Sequence, residues 1–128
     1  MLASSETPMD AFIDATQSAE RMCDGFADYF SRFDALLTPT LPLPAHRHDL
    51  SELMIDGQTV SALQVMGATT PLNVTGLPGL SIRFCTSLEG LPIGVQLVAA
   101  WHAESTILHL ATALEARSPV RNLQPAIA

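Results

Sequence analysis

The chain has 128 residues, 48% hydrophobic and 15% charged, which is enough apolar content for a buried core and excludes a disordered chain. Thirteen acidic residues face six basic ones, a net charge of −7, which argues against nucleic acid or an anionic membrane surface as partner. All six basic residues are arginine, so chemistry that needs a lysine has no residue here to perform it.

The first predicted element is a long helix. Thr7 can cap it, Pro8 suits its first position, and Asp10 sits where a capping box places an acid. Phe12, Ala19, Cys23, Phe26, Phe30 and Phe33 recur at spacings of three, four or seven, which puts them on one stripe. Asp10, Asp14, Glu20, Asp24 and Asp28 fall on the polar side and read as a solvated face. Such a stripe needs a wide apolar partner surface, and Asp34 ends the pattern.

A short strand is expected over residues 35–38, because Pro39, Pro42 and Pro44 cannot donate to a sheet ladder. Residues 46–52 are polar and read as loop. Asp56-Gly57 between short apolar flanks marks a tight turn. Ser61 can cap a helix through Leu63, Val65 and Met66 to about Thr70. Two prolines and two glycines then break residues 71–79, which cannot form one regular element.

Residues 80–86 and 92–100 read as strands joined by a turn at 87–91, an antiparallel hairpin whose near-continuous apolar runs predict burial on both faces. Residues 103–117 form a closing helix with Ile107, Leu108, Ala111 and Leu114 on one face and Arg117 at its negative end. Pro119 stops it, and residues 118–128 read as a loose tail. The order helix, strand, loop, helix, strand, strand, helix predicts mixed α/β layers in a single domain over residues 1–128. No apolar run reaches the roughly 18 residues needed to cross a bilayer. The first residues lack the basic start and apolar block of a secretory signal, so a cytoplasmic setting is expected.

Ser81 is the most conspicuous candidate nucleophile, in "TPLNVTGLPGLSIRF" (residues 70–84). A nucleophile elbow needs a glycine two residues after the serine, and Arg83 stands there. Ile82 and Phe84 favour continued strand, so Ser81 reads as structural. His102 or His109 would have to serve as its base in the competing small-hydrolase reading. His46, His48 and Asp49 resemble half of a metal site, but no distant Cys or His pair completes it. Trp101, His102 and Glu104 mark a strand-to-helix junction where a side chain can cap the helix or line a cleft. Asn73-Val74-Thr75 fits a glycosylation triplet but is better explained as turn chemistry. Cys23 and Cys85 read as buried free thiols. No phosphate loop is present, and neither cofactor nor metal is expected.

Four segments together are more specific: "FDALLTPTLPLPA" (33–45), "TTPLNVTGLPGLSI" (69–82), "GLPIGVQLVA" (90–99) and "ESTILHLATALE" (104–115). In this order they resemble the C-terminal portion of the amidase signature family, which includes amidases and the A subunit of tRNA-dependent amidotransferases. The resemblance runs from about Met9 to Glu115 and covers about the last quarter to third of a family member. It implies an α/β/α fold, with a mixed β-sheet covered by helices, and hydrolysis of amide C–N bonds by a serine nucleophile, a second serine on a cis peptide, and a lysine base. Those residues and the family's Gly/Ser-rich loop lie earlier in the family sequence. None of them maps onto this chain, so no catalytic residue is assigned.

Polar residues beside strand ends are the expected pocket lining: Thr38, Pro39 and Thr40 in one segment, Thr70, Asn73 and Thr75 in the other. The resemblance further implies a small-molecule amide substrate for a complete enzyme only. A sheet cut from a larger one has an open edge, so self-association or pairing with a missing N-terminal portion is expected. The alternative expectation is a non-catalytic assembly module on the same scaffold.

Overall fold

The structure, a computed structural model, describes residues 7–50, 52–61 and 64–124. Helix α1 (Met9–Phe30) opens it. Ala19, Cys23, Phe26 and Phe30 are half-buried along one stripe, but α1 has no fully buried residue. Phe12 and Phe33, the ends of the expected stripe, are exposed. The expected cap is also absent. Pro8 is the N-cap, and no side chain bonds there, because Thr7 sits one residue too early to reach the free amides. Asp10 accepts from the adjacent Ala11 amide instead, at 2.8 Å.

Strand β1 (Leu36–Pro39) follows. Strands β2 (Glu52–Ile55) and β3 (Gln58–Ser61) form a separate hairpin. Its turn residues Asp56 and Gly57 have φ of 48° and 74°, the positive pair that a tight hairpin of this twist demands. The predicted helix after Ser61 is a 3-10 turn, Gln64–Ala68, and Leu63 lies outside the described residues. Its capping is reciprocal: Gln64 N–H donates to Ser61 Oγ at 3.3 Å and Ser61 N–H to Gln64 Oε1 at 2.7 Å. Pro71 explains why it stops. A proline cannot continue a preceding helix, but it fits the first turn of a new one. That new helix is α2 (Thr70–Thr75), so the first part of the segment expected to be broken is helical. Gly76 ends it in the left-handed region, φ 69°, with its N–H on the Leu72 carbonyl at 2.8 Å.

Strands β4 (Gly79–Thr86) and β5 (Pro92–Val98) form the predicted antiparallel hairpin, and β1 pairs with the other side of β5, giving the order β1-β5-β4. Only the C-terminal half of β5 is buried; β4 alternates exposed and half-buried residues because α3 covers one of its faces. Helix α3 (Glu104–Arg117) covers one face. Leu97, Ala99, Ile107 and Ala111 form the core there, with Leu80, Ile82 and Leu114 packed against it. Leu108, expected on that face, is 56% exposed, since it sits one helical step of about 100° from Ile107.

The opposite face is covered by α2 and the 3-10 turn. Gly79 lacks a side chain where Leu72 Cδ1 would lie 2.8 Å from a Cβ. Helix α1 packs on α2. The result is an open sheet flanked by helices on both faces, an α/β/α arrangement. Beyond α3, Ser118 and Val120 are buried while Pro119 and residues 121–124 are exposed; residues 125–128 lie outside the described residues.

Candidate functional site: a cleft beside the end of β1

Side chains alternate across a strand, so the residues between those facing α3 point to the other side of the sheet. On that side stand Thr38 and Thr40, Ser81 of β4, and Gly94 and Gln96 of β5. Thr40 Oγ1 and Ser81 Oγ are 2.7 Å apart, a hydroxyl pair in which either atom can donate. They meet over Gly94: a Cβ there would lie 3.0 Å from each oxygen. A glycine inside a strand marks such a close approach.

Gln96 is 5% exposed. Its Nε2 donates to Thr38 Oγ1 at 3.3 Å and to the Ala68 carbonyl at 3.1 Å. One buried amide thereby ties β1 to the 3-10 turn. Between those walls is a cavity of about 330 Å³, lined by Thr38, Pro39, Leu41, Pro42, Gln64, Val65, Gly67 and Ala68. No charged residue lines it, so it suits a neutral, largely apolar group oriented by a few hydrogen bonds. A smaller hollow of about 250 Å³ adjoins Thr40, Ser81 and Gly94.

Of the residues expected to line a pocket, Thr38 and Pro39 border the larger cavity and Thr40 the smaller. Thr70 and Asn73 are exposed on α2. Thr75 is buried, its Oγ1 donating to the Pro71 carbonyl at 2.8 Å, a bond within the helix. None of these three borders either hollow. Gln96 and Gly94 were not singled out from sequence. The signal was present: a lone amide in an apolar strand must find partners, and a strand glycine must have a reason.

Ser81 is a strand residue whose partner is a threonine hydroxyl, which is no base. His109 belongs to α3, on the far face of the sheet from Ser81. His102 is exposed at φ 65° and caps nothing; the N-cap of α3 is Ala103, without a side-chain bond. Trp101 is the residue of that junction with a partner. Its Nε1 donates at 2.8 Å to the Thr75 carbonyl, one of the last-turn acceptors that α2 cannot satisfy itself. His46 Nδ1 bonds the Arg47 carbonyl at 2.8 Å. No group of three metal-ligating side chains occurs among the described residues. Cys23 and Cys85 are free and half-buried.

An open sheet flanked by helices, with a neutral cleft at a strand end, is a partial α/β/α scaffold. The family model described as Amidase matches residues 1–108, and the chain belongs to that family. It is 35% identical over 116 residues to the A subunit of the glutamyl-tRNA(Gln) amidotransferase of Lactococcus lactis subsp. lactis, covering 91% of this chain and 23% of that protein. The corresponding protein of Streptococcus pneumoniae is 38% identical over 102 residues, covering 80% and 20%. Among solved structures, an amidase superposes with a TM-score of 0.79 at 28% identity, covering 88% of this chain and 26% of its own. A 6-aminohexanoate cyclic dimer hydrolase gives 0.78 at 27%, covering 94% and 27%. The chain therefore spans about a quarter of the length of the relatives it matches.

Proposed function

We propose that this chain is the C-terminal segment of an amidase-family hydrolase, and that these 128 residues alone do not hydrolyse amides. The observation that carries the proposal is that the chain matches only about a quarter of the relatives named above and contains no lysine. The parent reaction is hydrolysis of a carboxylic amide C–N bond by a serine, a second serine and a lysine base, residues that the remaining portion of the fold would supply. Within it, the neutral cleft tied by Gln96 forms part of the pocket wall and favours an uncharged group of the substrate. Similarity to amidotransferase subunits supports a parent that works with partner domains or further chains. Two unpaired thiols, Cys23 and Cys85, suit the reducing cytoplasm we propose for it.

The test is an assay of the purified chain against a panel of simple amides and esters. The expected result is no turnover above buffer background, identical for Ser81→Ala. Turnover abolished by Ser81→Ala would overturn the proposal. A second reading, a non-catalytic assembly module, is favoured by the exposed apolar residues of α1, which a second copy of the chain could cover.

A further inference from the structure

At β4, the outer strand among the described residues, the ladder skips one residue. The register passes from Arg83 opposite Gly94 to Cys85 opposite Ile93, so Phe84 has no partner on β5. Its carbonyl is nevertheless bonded: Ser118 Oγ donates to it at 3.0 Å. Ser118 is 5% exposed and Val120 6%. Arg83 grips the same segment further on, its Nη2 donating to the carbonyls of both Val120 and Leu123. Short turns fold the segment between these holds, from Arg121 N–H to the Ser118 carbonyl at 3.3 Å and from Leu123 N–H to the Val120 carbonyl at 3.0 Å.

Direction along the strand tells where the segment runs. Ile82 packs on the core beneath α3, and Arg83, the next residue, points to the other side. A chain that leaves α3, bonds the Phe84 carbonyl through Ser118 and is held by Arg83 passes around the C-terminal part of β4, reaching Thr86, Gly90 and Pro92 beside Leu123. The outer edge of a strand such as β4 exposes unpaired N–H and C=O groups and is a template for another strand. Among the described residues no carboxylate pairs with Arg83, so backbone carbonyls alone answer its charge.

We propose that residues 118–124 are a latch, held by Arg83 and Ser118, that closes the outer edge of β4 against pairing with a second copy of this chain. The inference is independent of the amidase assignment, because it uses only contacts within these residues.

Trypsin reads it directly, since the chain lacks lysine and offers only arginine sites. Arg47 lies in an exposed loop and serves as the internal reference. In the full wild-type chain, cleavage after Arg121 is expected to be about tenfold slower than after Arg47, and in Arg83→Met the two rates converge. Sedimentation of Arg83→Met is expected to show larger species than wild type at equal concentration. An unchanged cleavage ratio overturns the latch. A released segment with unchanged sedimentation overturns its role at the edge. If Arg83→Met unfolds, hydrogen exchange on the wild type decides. Amides of Arg121 and Leu123 exchanging about tenfold slower than His48 support the latch, and equal rates overturn it.

Discussion

At the scale of single residues, the face of the sheet away from α3 is organised by what is small and what is polar. Gly94 is the pivot, because Thr40 Oγ1 and Ser81 Oγ each lie 3.0 Å from where its Cβ would be. Gly94→Ala should force the hydroxyls apart and cost about 1–3 kcal/mol, the usual range for overpacking. Urea denaturation measures it. Combining it with Ser81→Ala removes one of the crowding atoms, so the double variant should lose less than the sum of the singles, by about 0.5 kcal/mol or more. Strict additivity would mean that Gly94 acts through something other than the hydroxyl pair. The pair also bears on chemistry. A serine hydroxyl held at 2.7 Å by a threonine is oriented but not activated, which agrees with the reading of Ser81 as structural from its missing elbow glycine. Gln96 is harder to read, because a sequence shows that a buried amide needs partners but not that Thr38 and a carbonyl of the 3-10 turn 28 positions away will provide them.

At the scale of elements, local signals were legible where one chemical cause dominates. Asp56-Gly57 specified its hairpin turn, and residues 80–100 their strands, because turn chemistry and apolar runs act within a few residues. The segment around Pro71 was read only as broken. The same proline that ends one turn starts α2, and its six residues are too few for any periodic pattern. So short a helix depends on tertiary holds, and Trp101 is the clearest. Trp101→Phe keeps most of the ring but deletes the bond to the Thr75 carbonyl, which should cost about 1 kcal/mol, or about 4 °C in melting temperature. The loosening should be local, with the Gly76 amide, bonded to the Leu72 carbonyl, exchanging faster than amides of β5. A uniform rise across the sheet would show instead that Trp101 matters to the core as a whole.

At the scale of the whole molecule, α1 is the element whose sequence asks for more than the structure provides. Every residue from Met9 to Ser18 is exposed, and Ala19 is the first half-buried residue of the helix. Met9, Phe12 and Ile13 are 72%, 62% and 46% exposed, while Asp10 and Asp14 lie on the same turns. Packing of the apolar face, more than propensity, normally holds such a helix. A chain that spans about a quarter of its relatives leaves room for the rest of the fold to cover this face. Without that cover, two outcomes separate the readings. A segment of a larger enzyme should associate loosely through α1 and sediment as a broad distribution above the 13.7 kDa monomer, whereas an assembly module should give one discrete dimer. Either association should strengthen with added salt, because the net charge of −7 repels like copies and salt screens it. Phe12→Asp with Ile13→Asp should return the mass towards the monomer in both cases. These positions contribute nothing to the described core, so a double variant that unfolds the sheet, or leaves the distribution unchanged, would show that α1 is not the associating surface.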